Sequence, residues 1–127
     1  AALVEPLAVG IHAVRVADVK AGSRVLVIGA GPIGLTVALW CRFFGARDVV
    51  VSEVAKTRAA LAGKMGATAV IHPDLEQGAE GLLQQFVAVA GGAPDVIFEC
   101  VGAPGLLQQC IEMAPHRGKI IPVGVCE

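Results

Sequence analysis

The run Val25-Leu26-Val27-Ile28, followed at once by Gly29-Ala30-Gly31-Pro32-Ile33-Gly34, constrains the fold more than any other part of this sequence. Four consecutive apolar residues, three of them β-branched, suit a strand buried on both faces. The next six match G-x-G-x-x-G, and from Pro32 or Ile33 to Phe44 nothing breaks a helix until Gly45 offers a C-terminal cap. Pro32 fits the first helical turn, where its fixed φ is favourable and its missing N–H leaves no hydrogen bond unmade. Each glycine has its own task in such a turn. Gly29 permits the tight exit from the strand, Gly31 keeps a Cβ out of the space a pyrophosphate would take, and Gly34 lets the helix lie close on the strand. The helix N-terminus then offers unpaired N–H groups and its partial positive charge to the phosphates.

A glycine pattern alone is weak in a chain with 16 glycines, so its surroundings decide its weight. Val49-Val50-Val51 reads as a second strand, and the unit from Val25 to Glu53 is 29 residues long, with the acid 19 positions after Gly34. A carboxylate at that strand end can accept hydrogen bonds from both ribose hydroxyls of an adenosine and repels a 2′-phosphate, which favours NAD over NADP. Lys56 and Arg58 lie just beyond and partly offset that repulsion. Arg58 itself suits either the adenosine ribose or a solvated helix face.

The remaining pattern extends the alternation. Leu3, Leu7, Ile11 and Val14 form one stripe of a helix that starts near Glu5-Pro6. A helix is expected over 56–65, a strand over 69–71, a helix within 82–90, a strand over 95–99, a helix over 106–113 and a strand over 119–123. Apolar residues make up 55% of the chain but aromatics only 4%, the composition of buried parallel strands rich in Val, Ala, Leu and Ile. The expectation is an α/β, Rossmann-type doubly wound parallel sheet in the order 3-2-1-4-5, with a sixth strand falling beyond Glu127. Residues 1–127 should form one NAD-binding domain, with 1–20 as a leading helix that links to an absent catalytic domain. Ligands of open α/β sheets bind at the carboxyl ends of the strands. The nicotinamide half should therefore run along Val101-Gly102 and Val123-Gly124-Val125.

Several classes are disfavoured. A net charge of −1, from 10 basic and 11 acidic interspersed residues, gives no footprint for nucleic acid or anionic lipid. The apolar stretch over 33–44 contains Thr36 and Arg42 and is shorter than the roughly 20 residues a membrane helix needs. No secretory signal opens the sequence, so a cytoplasmic location is expected. Cys41, Cys100, Cys110 and Cys126 are too scattered for a structural zinc site and read as buried thiols. His12, His72 and His116 lack partners arranged for nucleophilic or acid–base work.

With the G-A-G-P-I-G turn, the V-V-V-S-E strand end and the opening E-P-L-A-V-G-I-H-A-V, the chain resembles the medium-chain zinc-dependent alcohol dehydrogenases, in particular their sorbitol (polyol) branch. The resemblance runs from Glu5-Pro6-Leu7 through Glu99-Cys100-Val101-Gly102 to Val123-Gly124-Val125. It implies hydride transfer between a secondary alcohol or polyol and NAD, with zinc polarising the alcohol oxygen. It also implies that the cysteine and the G-H-E pair that bind zinc lie outside this sequence, and that the full-length protein is a homo-oligomer. Glu5 matches a family position near the metal; an acid favouring the helix dipole is its other reading. Relatives often carry aspartate where this chain has Glu53, one methylene longer. Two further classes share parts of the pattern. S-adenosylmethionine methyltransferases also place a glycine-rich turn after strand one and an acid after strand two, although Gly34 and the E-P-L opening argue against them. A non-catalytic NAD-sensing module would look the same.

Overall fold

The computed structural model describes residues 4–73, 76–114 and 118–124, with the backbone alone at Val4. Its elements, in chain order, are α1 (Val4–Val16), β1 (Arg24–Ile28), α2 (Pro32–Phe43), β2 (Asp48–Ser52), α3 (Lys56–Lys64), β3 (Ala69–Ile71), α4 (Gly78–Ala90), β4 (Val96–Glu99), α5 (Leu106–Met113) and β5 (Lys119–Pro122). The strands form one sheet in the order β3-β2-β1-β4-β5, with every neighbouring pair parallel. This is the expected order, and it follows from helical crossovers that let parallel neighbours pair.

Alternate strand residues feed two cores. Val25, Val27, Val49, Val51, Val96 and Phe98 pack with α1, α2 and α3 on one face. Leu26, Ile28, Val50, Ile71 and Ile97 pack with α4 and α5 on the other. Val25, Leu26 and Val27 are completely excluded from solvent. A strand covered on both faces has no polar side, so β1 reads as an unbroken apolar run.

Register brings the strand ends together. Ile28 pairs with Ser52 on one side and Glu99 on the other, and Glu99 pairs with Pro122. The glycine turn, Glu53, the loop from Cys100 and the loop from Val123 therefore emerge along one edge of the sheet.

Three local expectations are corrected. The stripe of α1 shares Val14 with the Leu3-Leu7-Ile11-Val14 line but is rotated toward smaller residues. Its buried residues are Gly10, Ala13 and Val14, with Ala17 just beyond, while Leu7 and Ile11 are half-buried and Leu3 lies outside the described residues. Small residues win because α1 lies hard against α2: a Cβ on Gly10 would sit 2.5 Å from Thr36 Oγ1. The Thr36 hydroxyl lies 2.9 Å from the Pro6 carbonyl, and Trp40 Nε1 donates to the Leu7 carbonyl at 3.1 Å, so α1 is pinned to the helix that carries the glycine turn. Helix α4 begins at Gly78, not near Leu82, because Ala79 and Gly81 are buried and tertiary packing outweighs the poor helix propensity of glycine. Helices α2 and α3 and strand β5 each end one residue early, at Phe43, Lys64 and Pro122, and β4 starts at Val96.

Candidate cofactor site

The three motif glycines differ in what makes them glycine. Gly29 has φ +101°, its N–H donates to the Ser52 carbonyl at 2.8 Å, and a Cβ there would lie 2.7 Å from Val101 Cγ2. Both backbone and packing demand glycine. A Cβ on Gly34 would collide with the Gly29 carbonyl oxygen, so the close approach of helix to strand depends on that position. Gly31 is different. It caps α2 at φ −72° and ψ −176°, a conformation open to any residue, and a Cβ on it would meet nothing within 4 Å. Neither its backbone angles nor protein packing accounts for the missing side chain.

Pro32 opens α2, as the sequence indicated, and no side chain caps the helix. The first-turn amides of Ile33 and Gly34 have no acceptor within the helix. An anion at this end of α2 would meet backbone donors and the positive end of the helix dipole.

Glu53 lies one residue past β2 and is 6% exposed. Its Oε1 accepts from the Ala30 N–H at 2.8 Å, inside the glycine turn. Its Oε2 accepts from the Ala55 N–H at 2.9 Å and from Arg58 at 3.1 Å. Burial pushes the carboxyl pKa up, but the bonds from Arg58, Ala55 and Ala30 and the guanidinium charge outweigh it and hold the group at about 2, against an ordinary 4.5. Three donors leave one of a carboxylate's roughly four lone-pair sites for a ligand hydroxyl. The sequence left Arg58 between ribose and solvent; the structure pairs it with Glu53 while leaving it half exposed. That pairing pushes the guanidinium pKa up. Lys56 is exposed and does not join the pair.

A cleft of about 420 Å³ opens beside this acid. Gly29, Glu53, Val54 and Arg58 line one wall, and Val101, Ala103, Pro104 and Leu106 the other. Its lining is mainly apolar with charge at one end, as an adenosine requires.

The loops expected to carry the nicotinamide half meet each other, and of their described residues Val101 lines the cleft. Val123 N–H and Gly124 N–H both donate to the Glu99 carbonyl at 2.8 Å. A Cβ on Gly124 would collide with the Gly102 amide nitrogen, so the loops after β4 and β5 touch. Val125 lies outside the described residues. Sequence reasoning passed over Glu99, which is 3% exposed and whose Oε1 accepts from Val101 N–H at 2.8 Å and Gly102 N–H at 2.7 Å. The signal was available: E-C-V-G sets an acid at a strand end before a glycine loop, much as S-E does after β2.

His72 Nδ1 lies 2.9 Å from the Glu53 carbonyl and ties the ends of β2 and β3; His12 is exposed on α1; His116 lies outside the described residues. Cys41 and Cys110 are buried, and burial pushes their thiols up to about 12 and about 11, the second helped by Glu99. Cys100 is pushed up too, by burial and then by Glu99. Cys126 lies outside the described residues. Glu5 is exposed in the first turn of α1, and among the described residues no three His, Cys, Asp or Glu side chains gather as a metal site.

A model of the zinc-binding dehydrogenase family matches residues 32–127. The chain is 40% identical over 123 residues to an uncharacterized zinc-type alcohol dehydrogenase-like protein of Escherichia coli (strain K12), a match covering 97% of this chain and 35% of that protein. It is 39% identical over 124 residues to the sorbitol dehydrogenase of Homo sapiens, covering 98% of this chain and 34% of that enzyme. Among solved structures, a zinc-binding dehydrogenase from Sinorhizobium meliloti 1021 bound to NADP superposes with a TM-score of 0.81 at 33% identity, over 94% of this chain and 35% of its own. The chain thus spans about a third of the length of the relatives it matches.

Proposed function

The chain belongs to the zinc-binding dehydrogenase family, and from that premise we propose that residues 1–127 are the NAD(H)-binding domain of an oxidoreductase acting on a secondary alcohol or polyol. The observation that carries this reading is Gly31: a helix-capping glycine with ordinary backbone angles and open space at its missing Cβ, one residue from the amide that holds Glu53. Bound nicotinamide supplies a carbon that accepts or gives up a hydride. The domain's own residues bind and orient. Gly29, Gly31, Pro32, Ile33 and Gly34 shape the pyrophosphate cradle, and Glu53 with Arg58 receives the adenosine ribose. Val101, Gly102, Val123, Gly124 and Val125 border the nicotinamide half.

NAD, not NADP, is the proposed cofactor, although the Sinorhizobium relative is bound to NADP. Glu53, held ionised by three donors, sets a fixed negative charge where a 2′-phosphate would have to sit. Zinc, on this reading, is held mainly by residues outside the sequence and polarises the alcohol oxygen. Glu5 would approach it from α1, whose carbonyls at Pro6 and Leu7 are tied to α2. The same reading has the protein working in the cytoplasm as a homo-oligomer, with no nucleic-acid or membrane partner. The S-adenosylmethionine alternative finds no support in the family match.

The test uses the whole protein that carries this domain. NADH should raise its melting temperature and S-adenosylmethionine should not. Glu53→Ser should weaken NADH binding and narrow the preference over NADPH; calorimetry that finds neither change would remove Glu53 from the ribose site. The opposite thermal-shift result would sink the dinucleotide reading.

A further inference from the structure

We propose that Glu99 is a positioning residue for the cofactor, one buried acid whose carboxylate fixes the loop after β4 in the wall facing Glu53. The proposal deepens the dinucleotide reading and rests on it. Glu99 closes β4, beside the last residue of β1 in register. Its side-chain oxygen takes the Val101 and Gly102 amides at 2.8 and 2.7 Å, and its main-chain oxygen takes the Val123 and Gly124 amides, each at 2.8 Å. The carboxylate thus grips the loop after β4, while the main-chain oxygen, which any residue at 99 would offer, ties the loop after β5.

The loop held by the carboxylate forms one wall of the cleft. Val101 and Ala103 line it, and Val101 Cγ2 would touch a Cβ on Gly29 at 2.7 Å, so this wall leans on the phosphate turn itself. Cys100 Cβ lies 3.6 Å from where a Cβ of Gly34 would be. A displaced 100–102 segment would therefore move against the pyrophosphate cradle as well as the nicotinamide side. Val96, Ile97 and Phe98 fill the rest of β4 with apolar atoms. An apolar residue at 99 would avoid the desolvation cost a buried carboxylate carries. What the carboxylate adds, and an apolar residue lacks, is a side-chain oxygen that accepts both amides. Glu53 uses the same device on the opposite wall, with Ala30 and Ala55 as donors. The cleft is thus framed by two buried acids, each fixing backbone beside the bound molecule.

The test compares wild type, Glu99→Gln and Glu99→Leu in the whole protein, by calorimetry with NADH, thermal unfolding and steady-state kinetics. The glutamine carbonyl can still accept both amides, so its Kd should stay within about threefold of wild type, whereas leucine should raise Kd roughly ten- to a hundredfold. KM for the cofactor should rise with Kd while kcat changes far less. Equal loss of thermal stability in both variants with Kd at the wild-type value would mean a role in folding alone and overturn the proposal. Wild type that fails to bind NADH would overturn the dinucleotide reading instead. Should Glu99→Leu not fold, hydrogen exchange on the cofactor-free wild type decides the question. The Val101 and Gly102 amides should exchange much more slowly than that of Ala103, and equal rates would overturn the assignment.

Discussion

Replacing Gly31 with alanine separates a glycine needed for folding from one needed for a ligand. At φ −72° and ψ −176°, with nothing within 4 Å of the added Cβ, the native state accepts the methyl without strain. Alanine also narrows the unfolded ensemble, so the domain should become more stable by about 0.4–1 kcal/mol. Binding should move the other way. The methyl enters the space left for the pyrophosphate, and losing one or two charge-assisted amide contacts costs about 3 kcal/mol, on the order of a hundredfold in Kd. Urea unfolding without ligand and calorimetry with NADH read the two effects separately. The control is Gly34→Ala, whose Cβ would strike the Gly29 carbonyl, its carbon at 2.9 Å. That variant should lose about 1–3 kcal/mol of stability with or without cofactor. A Gly31→Ala protein that is destabilised, or that binds NADH as wild type does, refutes the argument.

Three further expectations rest on the same geometry. Because Glu53 is held at about 2 against an ordinary 4.5, its stabilisation is complete above pH 4.5 and is lost as pH falls toward 2. After allowing for solvent around half-exposed Arg58, this amounts to about 1–2 kcal/mol. Glu53→Gln should remove that acid-side loss, and identical pH–stability curves for the two proteins would contradict it. The raised thiols of Cys41, Cys100 and Cys110 should resist alkylation at pH 8 in folded protein and react in urea, read peptide by peptide. Rapid labelling of Cys100 in folded protein would show that its burial is overstated. Glu5→Gln in the whole protein should lower zinc content or turnover, and no change in either would remove Glu5 from the metal's surroundings.

Much of the fold was legible because its signals are local. An unbroken Val25–Ile28 run, a glycine turn, Pro32 at the helix start and Gly45 at its end each record a backbone requirement in one or two residues. The strand order followed because right-handed crossovers between parallel strands leave few alternatives. The helix start at Gly78 was hidden, since glycine lowers helix propensity and only the burial of Ala79 and Gly81 against the sheet overrides it. The face of α1 was misread for a similar reason. Large apolar residues mark a stripe in sequence, but here the interface demands the smallest side chains, and only the proximity of Thr36 reveals that.

The sequence by itself determined the parallel sheet, the phosphate turn and the acid at the end of β2, because adjacent residues carry them. Only the tertiary structure decided that Arg58 belongs to Glu53, that no neighbour crowds Gly31, and that Glu99 gathers amides from residues as distant as Gly124. Those relations are set by strand register, which aligns the carboxyl ends of strands far apart in the chain and has no single-residue signature.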